Sequence, residues 1–278
     1  PPPPPPPPPL INDTATTEIY TGCRSSAASD VYKRQVQAPV GFQCPSCVAE
    51  AAGRVPPVRT ALGGVARRQP RRATQVLIAA NVVVYGLTLI SADRLIVDYG
   101  MLGVAIASGE WWRLLSAPFL HAGLWHVGLN MLALWVLGGV VEPLIGRWRF
   151  VAVYAVSALG GTVASYAFSS PVVFSVGASG AVFGLLGATL VALRRLNRDV
   201  SGVVALLLIN VAIGFAIPSI DWRAHLGGLL AGALVTAAMV AAPRRYSAAA
   251  AWGAAALLIA GMAWVVDWRT AQILALAA

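Results

Sequence analysis

The chain has 278 residues, of which 58% are hydrophobic and only 11% are charged, with a formal net charge of +9. A soluble domain carries roughly 25% charged residues and less apolar content. The composition therefore excludes an ordinary soluble domain and an intrinsically disordered chain, and it predicts an all-α polytopic membrane protein. Three cysteines are too few for a dense disulfide framework.

The first 35 residues lack the pattern of a folded segment. Residues 1–9 are all proline, residues 12–21 resemble a translated flow-cell adapter, and residues 25–35 resemble a translated transposon adapter. We predict that residues 1–35 are a disordered sequencing-adapter artefact, and we exclude them from the fold as one would a fusion scar. A Pro-rich polyproline II tail is the alternative interpretation.

A short mixed stretch separates this segment from the apolar part of the chain. Residues 36–52 contain Cys44 and Cys47 in a C-x-x-C pattern, which can supply half of a tetrahedral zinc site. Two thiolates do not complete such a site, so a redox pair and an incidental pair remain alternatives. Residues 53–73 are rich in Pro, Gly and Arg and predict a flexible basic linker next to a membrane.

Seven later segments are apolar over about 20 residues, the length that crosses a bilayer core of about 30 Å. We predict a six-helix transmembrane core over residues 74–242 and an additional transmembrane helix with a tail over residues 243–278. The predicted spans are Thr74–Ser91, Ala122–Val141, Phe150–Phe168, Ala178–Leu193, Gly202–Ile217, Ala224–Ala242 and Ala248–Val266.

The arginines predict the orientation of these spans. With a cytoplasmic N-terminus, thirteen arginines lie on the inner side and four, Arg94, Arg113, Arg223 and Arg269, on the outer side, as the positive-inside rule requires. The prediction is N-in and C-out, and the basic charge then needs no nucleic-acid partner. The inner set is Arg54, Arg59, Arg67, Arg68, Arg71, Arg72, Arg147, Arg149, Arg194, Arg195, Arg198, Arg244 and Arg245.

Five polar side chains lie in or beside the spans, where polar groups are costly unless they face a cavity. They include all three histidines of the chain: His121, His126, Asn130, Ser179 and His225. Ser179 precedes Arg194 by 15 residues, about 22 Å of helix, which places it below the outer surface. The other groups start spans from the same side, so a water-accessible pocket in the outer half is expected.

Ser179 lies in a Gly-Ala-Ser-Gly run at the start of a predicted helix. Free N–H groups there can stabilise an oxyanion, His225 could act as the base, and His126 with Asn130 at i and i+4 could donate to the same oxyanion. No Asp or Glu lies in the middle of a span, so we expect a Ser-His dyad. Each feature alone is also typical of helix packing or of an interfacial histidine, and we expect His121 to be structural or only an interface residue.

The runs HAGLWHVGLN at 121–130, GASG at 177–180 and AHLGG at 224–228 together resemble the rhomboid family of intramembrane serine proteases. Trp112 and Arg113 are similar to the Trp-Arg pair of that family's first outside loop. Glu142 is similar to the acidic residue that closes its second span. Phe183 stands where many members carry a tyrosine under the catalytic histidine.

The resemblance implies specific roles at these positions. It implies that Ser179 is the nucleophile and His225 the general base, and that His126, Asn130 and the Ser179 amide form the oxyanion hole. It also implies that residues 40–48 are the end of a zinc-binding module, so that Cys44 and Cys47 would bind zinc in an intact module. We expect no cofactor for catalysis and no zinc bound to this chain.

The predicted function is an intramembrane serine endopeptidase that cleaves single-pass transmembrane substrates near the non-cytoplasmic face. The expected partners are such substrates and the lipid bilayer, and the expected location is a bacterial plasma membrane. Two alternatives are a non-proteolytic rhomboid-like protein that binds transmembrane helices, and a transporter or proton channel that uses the histidines as relays. The sequence has neither the inverted repeat nor the carboxylates within its predicted spans that would indicate a transporter or a proton channel.

Overall fold

The computed structural model describes residues 36–37, 42–43, 60, 62 and 71–277. The chain divides into two units, residues 1–57 and residues 58–278. In the first unit, strand β1 (Val36–Gln37) pairs antiparallel with strand β2 (Phe42–Gln43), with Val36 opposite Gln43. Cys44 and Cys47 lie outside the described residues, as does the adapter-like segment 1–35.

The second unit is built from helices, as the composition predicted. Five helices within the described residues are long and apolar enough to cross a membrane: α1 (Arg72–Ile90), α5 (Leu124–Ile145), α6 (Arg147–Phe168), α9 (Trp222–Ala241) and α10 (Ser247–Ala277). Two more, α7 (Ser179–Arg195) and α8 (Ser201–Ala216), have 17 and 16 residues. Each predicted span overlaps one of these helices, and α10 continues past the predicted end at Val266.

The long connection between α1 and α5 is folded. It contains helices α2 (Arg94–Tyr99), α3 (Gly103–Ala107) and α4 (Arg113–Ser116), strand β3 (Met101–Leu102) and a 3-10 turn (Ala117–Phe119). Strand β3 pairs antiparallel with β4 (Phe174–Ser175), in the loop that precedes α7. The connection is therefore joined by backbone hydrogen bonds to the segment that leads to Ser179.

Arg113 holds this connection together from within. Its side chain is buried and donates to the carbonyl oxygens of Val97 at 2.7 Å and Gly100 at 2.9 Å. It also pairs with Glu110 at 2.6 Å, so the guanidinium charge is neutralised where it is buried. Because one planar group bridges three parts of the segment, the connection keeps a fixed shape.

Helices α6, α7 and α9 form the centre of the bundle, and their contact depends on glycine. A Cβ atom on Gly228 of α9 would lie 1.9 Å from the carbonyl oxygen of Gly180 on α7, and one on Gly232 would lie 2.2 Å from that of Gly184. A Cβ on Gly161 of α6 would lie 2.9 Å from the carbonyl oxygen of Ala224. Small residues thus let the three backbones approach closely, as in other membrane helix pairs.

The opposite end of the bundle is closed by Glu142 on α5. Its buried carboxylate accepts hydrogen bonds from the Ala73 N–H at 3.0 Å, the Thr74 N–H at 2.9 Å and the Thr74 hydroxyl at 2.8 Å. These two N–H groups belong to the first turn of α1, which has no intrahelical acceptor for them. A negative charge at this positive helix end caps α1 and joins it to α5.

Candidate active site

Ser179 is the first residue of α7, and the backbone before it is fixed by two hydrogen bonds. The Gly177 N–H donates to the Ala117 carbonyl at 3.0 Å, and the Ala178 N–H donates to Nε2 of His121 at 3.5 Å. Gly177 has a φ of 126°, a left-handed conformation that favours glycine. The serine is therefore presented at a helix N-terminus whose first N–H groups have no intrahelical partner.

The structure brings His225 of α9 to the same end of α7. The His225 ring stacks on Phe183 with centroids 4.1 Å apart and planes inclined by 11°. Phe183 lies four residues after Ser179, so both side chains occupy one face of α7, one turn apart. Helices α7 and α9 also meet at Gly180, which follows Ser179, and Gly228, which lies three residues after His225. Within the described residues no hydrogen bond joins Ser179 to His225.

His126 of α5 lies against the backbone that leads to Ser179, and Asn130 lies one turn further along the same helix. A Cβ atom on Gly177 would lie 2.6 Å from Nε2 of His126, so the imidazole packs directly against the backbone two residues before Ser179. Asn130 is buried, and its amide nitrogen donates to the His126 carbonyl at 2.9 Å. Because an Asn amide carries two N–H bonds, one donor remains available.

His121, which we expected to be structural, also lies at the site. It is completely buried, accepts from the Ala178 N–H and meets the His126 ring edge-on with centroids 5.1 Å apart. Burial, followed by the charge of His126, lowers the pKa of His121 to about 4. The ring is therefore neutral near pH 7 and keeps the acceptor that holds the Ala178 amide.

This low pKa predicts an acid-sensitive fold. Between pH 6.5 and about 4 the unfolded chain protonates His121 but the folded chain does not, so stability falls as the pH decreases through that window. We expect a loss of about 2 kcal/mol from this group by pH 5. Thermal melting of the parent and of His121→Gln at pH 7 and pH 5 measures this loss of stability. An equal drop in Tm for both proteins would contradict the prediction.

The sequence analysis did not single out Asp221, which the structure places one turn before His225. One carboxylate oxygen caps α9 by accepting from the Ala224 N–H at 3.1 Å, and the other accepts from the Ser165 hydroxyl of α6. The same carboxylate interacts electrostatically with the His225 ring. The sequence signal that could have identified Asp221 is its position at a predicted helix start, four residues before His225.

An apolar cavity of about 130 Å³ lies beside His225. Its lining residues come from α8, α9 and, through Phe183, α7. Among the described residues, no group of three or more His, Cys, Asp or Glu side chains could hold a metal ion. The residues that line the cavity are Phe183, Asn210, Val211, Gly214, Phe215, Trp222, His225, Leu226 and Leu229.

Comparison with known proteins places these features in one family. Residues 108–242 match the family model of the Rhomboid domain. The chain is 43% identical over 139 residues to rhomboid protease GluP of Bacillus subtilis, a match that includes 48% of this chain and 27% of GluP. It is 34% identical over 138 residues to the putative rhomboid protease YdcA of the same organism, which includes 48% of this chain and 69% of YdcA. It is 26% identical over 223 residues to rhomboid protease AarA of Providencia stuartii (67% and 77%).

These matches differ in how much of each relative they include. The chain spans about a quarter of GluP but more than two thirds of YdcA and AarA. The match to YdcA combines more than 30% identity with coverage of more than two thirds of that protein. The serine and histidine segments described above lie within residues 108–242, the range of the family model. With its apolar helices, the chain is an integral membrane protein and belongs to the rhomboid family.

Proposed function

We propose that the chain is an intramembrane serine endopeptidase with Ser179 as nucleophile and His225 as general base. The observation that carries the proposal is the stacking of His225 on Phe183, one helical turn from Ser179. The relatives named as rhomboid proteases support protease activity. The other groups at the site, described next, supply the remaining parts of an acyl-transfer mechanism.

In the proposed reaction, Ser179 Oγ attacks the carbonyl carbon of the scissile peptide bond while His225 takes the hydroxyl proton. The resulting oxyanion accepts hydrogen bonds from His126, the free Asn130 N–H and the Ser179 backbone N–H. Collapse of this intermediate breaks the C–N bond, and His225 gives its proton to the leaving amine. Water then attacks the acyl-serine ester with His225 again as base, which releases a carboxylic acid and regenerates Ser179.

Asp221 adds a third polar group to this proposed dyad. Its hydrogen bonds to the Ala224 N–H and the Ser165 hydroxyl fix the first turn of α9, from which His225 projects. Its negative charge favours the imidazolium that forms when Ser179 loses its proton. In this arrangement the carboxylate positions the base through the backbone and through its charge.

We propose single-pass transmembrane proteins as the substrates, cleaved near the membrane face that Ser179 approaches. Helix-breaking small residues in such a segment lower the cost of exposing its backbone to the nucleophile. We further propose an N-in, C-out topology with seven spans in a bacterial plasma membrane, which the distribution of arginines supports. The mechanism needs only protein side chains and water.

The proposal predicts that Ser179→Ala and His225→Ala lose cleavage of a transmembrane reporter in proteoliposomes. We expect at least about a 1000-fold loss of rate in each, because the two groups act as a unit in serine hydrolases. A fluorophosphonate probe should label the parent and fail to label Ser179→Ala. Ser170→Ala, which removes an exposed hydroxyl in the preceding loop, is the matched control.

Three results would contradict the proposal. Equal cleavage by the parent and Ser179→Ala would remove Ser179 from the nucleophile role. A parent that binds the reporter helix but neither cleaves it nor reacts with the probe would favour the non-proteolytic alternative. Ion or proton flux through the parent in the same liposomes, without proteolysis, would favour a transporter.

A further inference from the structure

The last helix, α10, is longer than a membrane crossing requires. Its 31 residues extend about 46 Å, whereas a bilayer core is about 30 Å thick. It begins beside Arg149 at the Glu142 end of the bundle, where the guanidinium lies 3.4 Å from the Ser247 hydroxyl. The helix continues past Val266, so its final turns extend along the Ser179 end.

Two polar contacts attach these final turns to the C-terminal end of α6. The Thr270 hydroxyl lies 2.7 Å from the Tyr166 hydroxyl, and the Arg269 guanidinium donates to the Ser169 carbonyl at 3.0 Å. Ser169 is the first residue of the loop that leads from α6 to Ser179. Arg269 therefore fixes the point at which this loop leaves its helix.

One apolar contact joins the same turns to the folded connection between α1 and α5. Ile273 is buried, with 7% of its surface exposed, whereas its neighbour Leu274 is 50% exposed. Ile273 belongs to a buried cluster separate from the main core, and the partly buried Met262, Val265 and Val266 of α10 pack against that cluster. The other members are Met101, Ile106, Ala107, Leu114, Ala117, Val163 and Tyr166.

Members of this cluster in turn hold the backbone before Ser179. Met101 belongs to strand β3 and pairs with Ser175 of strand β4, which lies in the loop between α6 and Ser179. Ala117 provides the carbonyl that accepts from the Gly177 N–H at 3.0 Å. A continuous set of contacts therefore runs from α10 to the residue two positions before Ser179.

We propose that the end of α10 is a brace that positions the loop 169–178, with Arg269 and Ile273 as positioning residues for the active site. The inference rests on the proposed protease function for its catalytic consequence. The helix thus has a role beyond anchoring the chain in lipid. It stabilises one loop conformation in which the Ser179 amide and hydroxyl are aligned for substrate.

The test uses the full chain in lipid nanodiscs and the variants Ile273→Ala, Arg269→Ala and Arg269→Lys. Hydrogen exchange of the backbone amides between Ser170 and Gly177 should become about tenfold faster in the two alanine variants. The turnover number for a transmembrane reporter should fall about tenfold with KM unchanged, because the loop positions the nucleophile and leaves substrate binding intact. Arg269→Lys retains a donor for the Ser169 carbonyl, so its loop amides should exchange nearly as slowly as those of the parent and its turnover number should be close to the parent's.

Leu274→Ala is the matched control, since it removes an adjacent exposed side chain of similar size. Its loop amides should exchange at the rate of the parent, and it should cleave the reporter with the turnover number of the parent. Unchanged loop exchange in both alanine variants would overturn the brace, whether or not the chain is a protease. Faster loop exchange in the two alanine variants, together with a parent that neither cleaves the reporter nor reacts with a fluorophosphonate, would support the brace and reject the proposed function. Faster exchange over the whole chain would indicate general destabilisation and overturn the specific role.

Discussion

Gly228→Ala should eliminate most of the activity of the proposed protease. The added Cβ would lie 1.9 Å from the Gly180 carbonyl oxygen and 2.6 Å from its carbonyl carbon, and both are backbone atoms that no side-chain rotation can move. Helices α7 and α9 must therefore separate next to Ser179 and His225. We expect at least about a 100-fold loss in reporter cleavage, since a displacement of about 1 Å at a catalytic pair has such an effect.

Fluorophosphonate labelling and reporter cleavage measure this effect, and thermal melting reports the accompanying loss of stability, about 1–3 kcal/mol. Gly253→Ala is the control, because a Cβ there would meet nothing within 4 Å. Should Gly228→Ala react with the probe as fast as the parent, the close contact of α7 and α9 would not determine the catalytic geometry.

Glu142→Ala should produce the largest loss of stability among single substitutions at the end of the bundle opposite Ser179. It removes the acceptor of three hydrogen bonds from Ala73 and Thr74, and it leaves buried donors at the start of α1 without a partner. Each such donor costs about 1–3 kcal/mol, so we expect a total loss of about 3–5 kcal/mol. Glu142→Gln keeps an acceptor oxygen and should lie between the parent and the alanine variant.

The free energy of unfolding in mixed micelles with increasing denaturing detergent would give this ranking. Asp98→Ala, which removes an exposed carboxylate from helix α2, controls for the change in charge. If Glu142→Ala unfolds within about 0.5 kcal/mol of the parent, the carboxylate is not the main connection between α1 and α5.

The sequence predicted the helices and several site residues for reasons that are local. A bilayer requires long apolar runs that satisfy their own backbone hydrogen bonds, so each span is visible in composition and in turn residues. The order of the motifs around His126, Ser179 and His225 also identified the family, which the comparison with known proteins confirms. The number of spans and the N-in orientation remain predictions.

Other features depend on contacts between residues far apart in the chain. Asp221 lies just before a predicted span, and only the packing of α9 against α6 brings it to Ser165. Likewise, Ile273 lies in the predicted tail, yet it belongs to the same buried cluster as Met101 and Ala117. The expectation that His121 is structural stays a prediction, and only the tertiary structure shows that its ring accepts from the Ala178 amide next to Ser179.

By itself, then, the amino-acid order determined which segments are apolar helices and which residue types are available for chemistry. Only the tertiary structure decided which faces of these helices meet. In lipid, apolar side chains gain little by preferring protein to the bilayer, so the pairing of helices depends on shape and on a few hydrogen bonds. The approach of Gly180 to Gly228 and the reach of α10 to the serine loop are outcomes of that packing, which local sequence patterns do not specify.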